Sequence, residues 1–371
     1  MSYLKQYKLK NYHFSLLLII MLLSFISLSA IQVADPGYVK RQMMGIIVGY
    51  LILIVVSLVD YRWLLNLAWC IYLASIVLLI LVKVPGIGVS AKGATRWIKI
   101  GIQIQPSELA KIALIIFWSS FIEKRSEDLN RLATLAKLGA LTAIPLVLIL
   151  TQPNLSTTII VFLLFCVVIF AGGLSWKIII TTLTIAIPVV AAGLIYIQKP
   201  DQKLLEGYQV NRILGFIDPE TYSDTFYQQE NSLAALASGG FYGNADGEYS
   251  LSVTDSGFLP EARTDFIFSV VGQEFGFLGT GGTTVLLALI VAVCLFTAAT
   301  APDKGGMLIC CGIAGLISIH AILNISVATA MMPNTGVVLP FVSYGLTALW
   351  SMFIGLGIVL NVGLHRRQKQ K

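Results

Sequence analysis

Three ionisable side chains lie close together in the segment 258–268, which reads FLPEARTDFIF. Glu261, Arg263 and Asp265 fall just where a long polar stretch gives way to an apolar one. A carboxylate in such a partly desolvated place can act as a general base, because desolvation raises its pKa toward the working range. The same pattern also fits a structural interpretation, in which Thr264 or Asp265 caps the helix that follows. The spacing leaves both interpretations open.

Glu108 and Lys111 form a second candidate group, in the run QPSELAK at 105–111. Residues three apart share one face of a helix, so the opposite charges can pair. Ser107 is predicted to cap this helix, and Pro106 to fix its first turn. Ionisable groups at membrane depth are costly and are functional candidates by default. The pair is therefore either a structural ion pair that orients the helix or a polar contact at the outer mouth of a cavity, with the lysine available to an anionic group.

Two arginines complete a candidate anion site: Arg96 in KGATRW and Arg212 in YQVNRI. Guanidinium forks suit diphosphate oxygens, although an arginine alone is more often a surface residue than a ligand. The sequence contains no Walker loop, no GxGxxG after a strand and no HExxH, so nucleotide-driven and zinc-protease chemistry is unsupported. The three histidines are scattered, and the five cysteines lie in apolar runs without CxxC spacing. Neither residue type predicts a metal site.

The composition indicates the environment of these side chains. Hydrophobic residues make up 57% of the 371 residues and charged residues 12%, against about 25% charged in an ordinary globular chain. So few charges could not cover the surface of a soluble protein of this size. Ten crossings of about 20 residues each would use about 200 residues, which fits the hydrophobic fraction. The net charge of +6 comes mostly from basic residues beside apolar runs, which favours membrane orientation over nucleic-acid binding.

The apolar runs predict an all-α polytopic membrane protein, a single transmembrane domain over residues 1–371. Both termini then lie on one side, and basic residues near the termini and in the 124–137 loop favour the cytoplasm. The first run has no evident cleavage site and is interpreted as a span. The ten predicted spans are 14–33, 43–60, 63–82, 107–123, 136–151, 155–173, 176–197, 278–299, 306–331 and 335–363.

Two outer segments are longer than a connection requires. The segment 83–106 has an amphipathic, strand-like middle, and the large loop at about 199–277, between the seventh and eighth spans, carries the Asp265 region. As one straight helix, the stretch 264–299 would be about 54 Å long, against a membrane core of about 30 Å. The glycines at 276, 279, 281 and 282 predict a break.

The break divides that stretch into two helices. An outer helix is expected at about 265–274, packed over the cavity mouth and facing Glu108 and Lys111, with the span starting near Leu278. A cysteine placed at Gln273 should therefore be accessible from outside, and one at Leu287 should not.

Taken together, these motifs resemble the SEDS family (shape, elongation, division and sporulation), the family of RodA and FtsW. They follow the family order from residue 92 to residue 345, which makes the resemblance highly specific. The matching stretches are KGATRW at 92–97, QPSELAK at 105–111, QPNL at 152–155, Arg212 with Asp218-Pro219, Tyr227-Gln228, Ser238-Gly239-Gly240, Leu259-Pro260-Glu261, TDFI at 264–267 and LPFVSYG at 339–345.

The resemblance implies a peptidoglycan glycosyltransferase that polymerises lipid II outside the cytoplasmic membrane and acts with a class B penicillin-binding protein. The family's catalytic aspartate falls on Asp265, its characteristic fourth-helix pair on Glu108 and Lys111, and its loop arginine on Arg212. An α-linked diphosphate that gives a β-linked glycan implies inversion without a covalent enzyme intermediate. A divalent cation (Mg²⁺ or Mn²⁺) could neutralise the diphosphate, but no ligand cluster in the sequence demands one. The predicted substrate-binding residues are Glu108, Lys111, Arg96, Arg212, Glu261 and Arg263.

The chain departs from the family pattern at several positions, so we interpret it as a divergent member. Asn154 stands where an aspartate is usual, which puts a metal or diphosphate role of that site in doubt. Arg263 stands where histidine is common, Leu346 follows SYG where a glycine is usual, and Asn244 and Ala245 interrupt a glycine-rich turn. Two other functions stay open: a flippase for the lipid-linked precursor, and a catalytically weak scaffold for a penicillin-binding protein.

Overall fold

The structure, a computed structural model, describes residues 12–91, 94–100, 102–198, 207–218, 223–243 and 258–365. Helices dominate these residues. A short 3₁₀ turn at Pro36–Tyr38 joins the first two helices. The helices are α1 (Phe14–Ala34), α2 (Val39–Ser57), α3 (Tyr61–Asn66), α4 (Ala68–Leu81), α5 (Pro106–Glu123), α6 (Leu132–Leu150), α7 (Leu155–Ala171), α8 (Trp176–Ile197), α9 (Gly207–Ile217), α10 (Ser223–Ser238), α11 (Ile267–Ala299), α12 (Lys304–Ala328) and α13 (Leu346–Leu364).

All ten predicted runs contain helix, and the chain is a multi-pass membrane protein. Among the described residues, seven helices are long and apolar enough by themselves to cross a membrane. Two more predicted spans correspond to the shorter apolar helices α4 and α7. The remaining one is α5, which carries Glu108, Lys111 and Glu123 within its 18 residues. The predicted all-α membrane fold is thus confirmed, and the count of ten crossings stays a prediction.

The helix α5 lies at the centre of the bundle. It is buried along almost its whole length although it contains charged residues. It packs against α4, α7, α12 and α13, while α12 also contacts α11, and α13 contacts α2. At the other extreme, the described side chains in the apolar window of α8 are all exposed or partly exposed. An apolar helix with this exposure is suited to contact with lipid.

Two predicted boundaries were wrong. The third span is interrupted at Leu67, between α3 and α4. The last helix begins at Leu346 rather than 335, and the residues from 333 to 345 form a non-helical loop. That loop is apolar because it is buried in the protein: Val337, Leu339 and Phe341 are each no more than 5% exposed. The apolar character of this loop therefore reflects its burial in the protein and not a helix, and Pro340 opposes helix formation.

The segment after α4 forms the predicted strand-like structure. It is a three-stranded antiparallel sheet in the order β1 (Gly88–Ala91), β2 (Ala94–Ile100) and β3 (Ile102–Ile104). The pairing of β2 with β3 sets Ile98 opposite Ile104. Contacts of β2 with α5 and of β3 with α13 hold the sheet against one end of the bundle. The sheet therefore fixes the position of Arg96, which lies on β2.

The predicted break near Gly276 is confirmed. Gly276 adopts φ 62° and ψ −157° inside α11, a backbone region that is essentially restricted to glycine. The break frees two backbone N–H groups, and the turn after α10 accepts both: Phe277 N donates to Gly240 O at 2.9 Å and Leu278 N to Phe241 O at 3.2 Å. The outer part of α11 thus ends where the α10 turn inserts its carbonyl groups.

The outer part of α11 differs from the expectation at Gln273. Its side chain is buried within the protein, so a cysteine placed there would be shielded from an external reagent. The adjacent Glu274 is half-buried. The better position for a labelling experiment is therefore Glu274. The segment packs on α10 through Ser232 and Ser269, whose hydroxyl oxygens lie 2.5 Å apart.

Replacing Gly276 with alanine is expected to destabilise the protein strongly. A Cβ atom there would lie 2.4 Å from the backbone nitrogen of Gly243 and would occupy a conformation that alanine rarely adopts. The backbone strain alone costs about 1–3 kcal/mol. Gly281→Ala is the matched control, because a Cβ at Gly281 meets no atom within 4 Å. Thermal unfolding in detergent should show a large loss for Gly276→Ala and no loss for the control. Equal stability of the two variants would contradict the kinked path of α11.

Candidate active site

Glu108 and Lys111 form the predicted ion pair. Lys111 Nζ lies 2.8 Å from Glu108 Oε1, and the side-chain exposures are 0% and 8%. The helix α5 starts at Pro106 with Gln105, not Ser107, in the capping position, and no side chain caps it. Glu108 therefore lies in the first turn, where the partial positive charge of the helix N-terminus favours a carboxylate. The other carboxylate oxygen, Oε2, is buried and has no hydrogen-bond partner among the described residues.

His320 contacts Lys111 of this pair, although a lone histidine in an apolar run does not by itself indicate a role. Its Nε2 lies 2.8 Å from Lys111 Nζ, and its Nδ1 lies 3.3 Å from the carbonyl oxygen of Val338. The residue is 2% exposed and belongs to α12, in the middle of the bundle. The sequence indicates a polar site here only through the spacing of His320 and Asn324: four residues apart, the two side chains lie on one face of an apolar helix.

Asn324 lies on the same polar face of α12 and contacts the predicted catalytic segment. Its Nδ2 donates to the backbone oxygen of Asp265 at 2.8 Å and to that of Val337 at 2.7 Å. Because His320 and Asn324 are one turn apart, α12 connects the Glu108–Lys111 pair to the backbone of Asp265. The structure therefore brings together two groups that the sequence could place only separately.

Asp265 lies half-buried at the end of a tight turn that Glu261 organises. Glu261 has a left-handed φ of 60°. Its carbonyl oxygen accepts the backbone N–H groups of Thr264 and Asp265, both at 3.0 Å, and of Phe266 at 3.3 Å. Its carboxylate accepts the hydroxyl of Thr264 at 2.9 Å. The next helix begins at Ile267 with Phe266 in the capping position, so neither residue named in the capping interpretation occupies that position.

The loop before α13 fixes the same turn from the other side. Ser343 Oγ donates to the carbonyl oxygen of Thr264 at 2.6 Å, and Tyr344 N donates to that of Arg263 at 2.8 Å. Ser343 and Tyr344 belong to the LPFVSYG motif. The motif thus acts through packing and backbone contacts, and it holds the segment that carries Asp265.

Arg263 contacts the turn between α1 and α2. Its Nη1 lies 2.5 Å from Asp35 Oδ2, and its guanidinium carbon lies 4.0 Å from the centre of the Tyr38 ring. The Tyr38 ring in turn packs edge-on against Tyr344 at 4.8 Å. These contacts give the arginine partners inside the protein, and its binding of substrate stays a prediction.

Arg96 lies beside the position where the chain departs from the family pattern. It is half-buried, and its guanidinium donates to the carbonyl oxygens of Gln152 and Pro153. Asn154 follows and caps α7, since its Oδ1 accepts the N–H of Thr157 at 3.3 Å. The amide of Asn154 therefore reproduces the capping function of an aspartate without its charge. Its Nδ2 is buried without a hydrogen-bond partner in the described part of the chain.

Arg212 lies on α9, but its side chain falls outside the described residues. Its role in binding an anion stays a prediction. Within the described ranges, no group of three or more His, Cys, Asp or Glu side chains is arranged to hold a metal ion.

Known proteins similar to this chain match it over nearly its whole length. The family model of FtsW, RodA and SpoVE, described as cell cycle protein, matches residues 7–368. A probable peptidoglycan glycosyltransferase FtsW of Geobacter sp. (strain M18) is 34% identical over 358 residues, which are 94% of this chain and 93% of that protein. The peptidoglycan glycosyltransferase MrdB of Escherichia coli (strain K12) is 33% identical over 368 residues, covering 97% and 96% of the two chains.

Solved structures share the same architecture. A chain from a peptidoglycan synthase complex that coordinates polymerization and crosslinking aligns with a TM-score of 0.82 at 29% identity, over 96% of this chain and 99% of that one. The crystal structure of the Rod shape determining protein RodA of Thermus thermophilus aligns with a TM-score of 0.71 at 27% identity, over 96% and 98% of the two chains. The likeness thus covers the helical bundle and is not limited to one motif.

Proposed function

This chain belongs to the FtsW, RodA and SpoVE family, and from that premise we propose that it is a peptidoglycan glycosyltransferase that polymerises lipid II into glycan strands at the outer face of the cytoplasmic membrane. The names of its relatives, which specify this transferase activity, support the reaction class. We also propose that this polymerase activity serves cell shape, division or sporulation.

One observation carries the assignment of the site. The turn at 261–266 is held at its backbone from three directions: by the Glu261 carbonyl oxygen, by Asn324 on α12, and by Ser343 in the loop before α13. A carboxylate on so constrained a turn is pre-organised, which is what a catalytic base requires. Asp265 is partly exposed at the return of the long loop, so a substrate hydroxyl can approach this turn.

In the proposed reaction, the 4-hydroxyl of a lipid II sugar attacks the anomeric carbon of the lipid-linked growing strand. The new glycosidic bond forms as the bond to the polyprenyl diphosphate breaks, and Asp265 takes the hydroxyl proton. Conversion of an α-linked diphosphate into a β-linked glycan is a single inverting displacement. Arg96 and Arg212 are proposed to stabilise the departing diphosphate, because guanidinium groups bind its oxygens in a bidentate manner. Glu261 and Arg263 are proposed to complete the substrate contacts.

A divalent cation is a separate proposal. Mg²⁺ and Mn²⁺ prefer oxygen ligands, and the described carboxylates do not form a three-residue cluster. Diphosphate oxygens and water would therefore supply most of the ligands, and no step of the reaction above is assigned to the ion. Titration of Mg²⁺ or Mn²⁺ into chelator-treated protein during polymerisation would measure the requirement.

The proposed partner is a class B penicillin-binding protein, which would cross-link the new strand. The likeness to a chain of a synthase complex that coordinates polymerization and crosslinking supports this proposal. The proposed orientation places both termini in the cytoplasm, so that Asp265 and the small sheet lie on the outer side. The basic residues near the termini support it.

A single assay tests the function. Purified protein is supplied with labelled lipid II, alone and with a class B penicillin-binding protein, and both glycan products and transbilayer lipid movement are measured. Glycan strands support the polymerase. Lipid movement without product would identify a flippase, and neither result, with the partner present, would identify a scaffold.

A further inference from the structure

The ammonium group of Lys111 is held on two sides. Lysine has three N–H donors, and in the described part of the chain Glu108 Oε1 and His320 Nε2 accept two of them, both at 2.8 Å. A buried charge is stable only if it is paired and hydrogen-bonded. Glu108 neutralises the charge, and His320 supplies an acceptor from a second helix, which fixes the direction of the lysine side chain.

One tautomer of His320 satisfies both of its contacts. The ammonium can only donate, so Nε2 must accept and carries no proton. Nδ1 then carries the proton and donates to the carbonyl oxygen of Val338. A neutral imidazole in this state links the Lys111 ammonium on α5 to the loop before α13.

The same loop and the same helix hold the catalytic segment. One turn after His320, Asn324 donates to the carbonyl oxygens of Val337 and Asp265. The adjacent carbonyl groups of Val337 and Val338 thus accept hydrogen bonds from Asn324 and His320, which lie on one face of α12. Any shift of the loop changes both the His320 contact and the support of the turn at Asp265.

We infer that His320 is a positioning residue for the glycosyl transfer: it orients the Lys111 ammonium and couples the Glu108–Lys111 pair to the turn that carries Asp265. The inference rests on the proposed function. His320 touches no reacting atom in this scheme, and its effect passes through Lys111 and the backbone of the loop. A misplacement of about 1 Å in a catalytic arrangement can cost about 100-fold in rate.

Three substitutions separate the two contacts of His320. Leucine removes both. Asparagine keeps an amide donor near the position of Nδ1 but is too short to accept from Lys111. Glutamine offers an acceptor for Lys111 and a donor for Val338, so it should restore the link.

A matched control removes a buried hydrogen bond elsewhere between helices. Thr142 on α6 accepts the indole N–H of Trp118 on α5 at 3.0 Å and is buried. Thr142→Val has nearly the same volume and leaves that donor unpaired. It measures what a lost polar contact costs in stability, and turnover should stay within about twofold of wild type since this site lies outside the proposed network.

The expected result is a fall in kcat with little change in KM. His320→Leu and His320→Asn should each lower the kcat of lipid II polymerisation about 10- to 100-fold, whereas His320→Gln should stay within about threefold of wild type. In a Lys111→Met background, His320→Leu should cause less than about a twofold further loss, because contacts that act as one unit are not additive. His320→Asn should lose far more turnover than its melting-temperature loss accounts for on the scale that Thr142→Val sets.

Several outcomes would overturn the inference. It fails if His320→Asn retains wild-type kcat, if glutamine gives no rescue, or if the losses from Lys111→Met and His320→Leu multiply in the double variant. It also fails if turnover falls only in proportion to stability, as in the control. Absence of polymerisation by the wild-type protein with its partner would instead overturn the proposed function itself, so the two failures are distinguishable.

Discussion

Asp265→Asn is expected to abolish polymerisation while leaving the fold intact. An amide cannot take the hydroxyl proton, and a general base contributes about 10²- to 10⁴-fold to a rate. The turn should persist, because its contacts to Glu261 and Asn324 use the backbone N–H and carbonyl groups of Asp265. Lipid II turnover and thermal unfolding of the purified variant would measure the two effects separately.

Asp35→Asn provides a matched carboxylate control. Asp35 lies on the turn between α1 and α2. It pairs with Arg263, which is two residues before Asp265 in the chain. Its replacement should lower stability slightly, because a partly exposed ion pair contributes at most about 1 kcal/mol, and should retain most of the turnover. Near-wild-type turnover of Asp265→Asn, or equal losses in the two variants, would refute the base assignment.

The sequence was sufficient for features that arise within one segment. The ten apolar runs predicted helices, and the glycines near 276 predicted the break of α11, because glycine alone adopts the backbone found there. The pairing of Glu108 with Lys111 followed from their spacing of three residues on one helix. Each of these predictions depends on local geometry, which a single sequence expresses directly.

Contacts between distant segments were not predictable in this way. His320 and Lys111 are 209 residues apart, and a lone histidine in an apolar helix gives no sign of its partner. The loop before α13 was predicted as helix because Val337, Leu339 and Phe341 are apolar. Its backbone is instead satisfied by side chains: Asn324 and Ser343 bind groups that a helix would have paired internally.

The site also shows how a departure from the family pattern can keep a structural role. By the resemblance, Arg263 stands where histidine is common; its guanidinium contacts Asp35 and Tyr38, one at each end of the turn between α1 and α2. By the same resemblance, Asn154 stands where an aspartate is usual, and it caps α7. In both cases the side chain stabilises the position of a motif. Substitutions there need not remove catalysis, which agrees with the enzyme proposal for a divergent member.

Breaking the Glu108–Lys111 pair is expected to cost more than removing it. Loss of one partner from a buried pair leaves an uncompensated charge, at about 3–5 kcal/mol. Lys111→Met should be the most damaging single change, because Glu108 would keep a buried carboxylate with no described cation beside it. Glu108→Gln should be milder, since the glutamine oxygen and His320 can still accept from Lys111. Thermal unfolding of both single variants and of the double variant in one detergent would rank the three by stability.

The double variant decides between a coupled pair and two independent groups. If the charges compensate each other, Glu108→Gln combined with Lys111→Met should be more stable than Lys111→Met alone, because no buried charge remains. All three variants are expected to have reduced but measurable polymerisation, so stability is the measurement that distinguishes them. Simple addition of the two single losses would mean that the charges do not compensate each other, and the contact at 2.8 Å would then have no energetic role. A stabilising coupling would show instead that the two charges compensate each other inside the bundle. A double variant more stable than wild type would show in addition that the pair is kept at a cost to the fold, which is the pattern expected where function requires it.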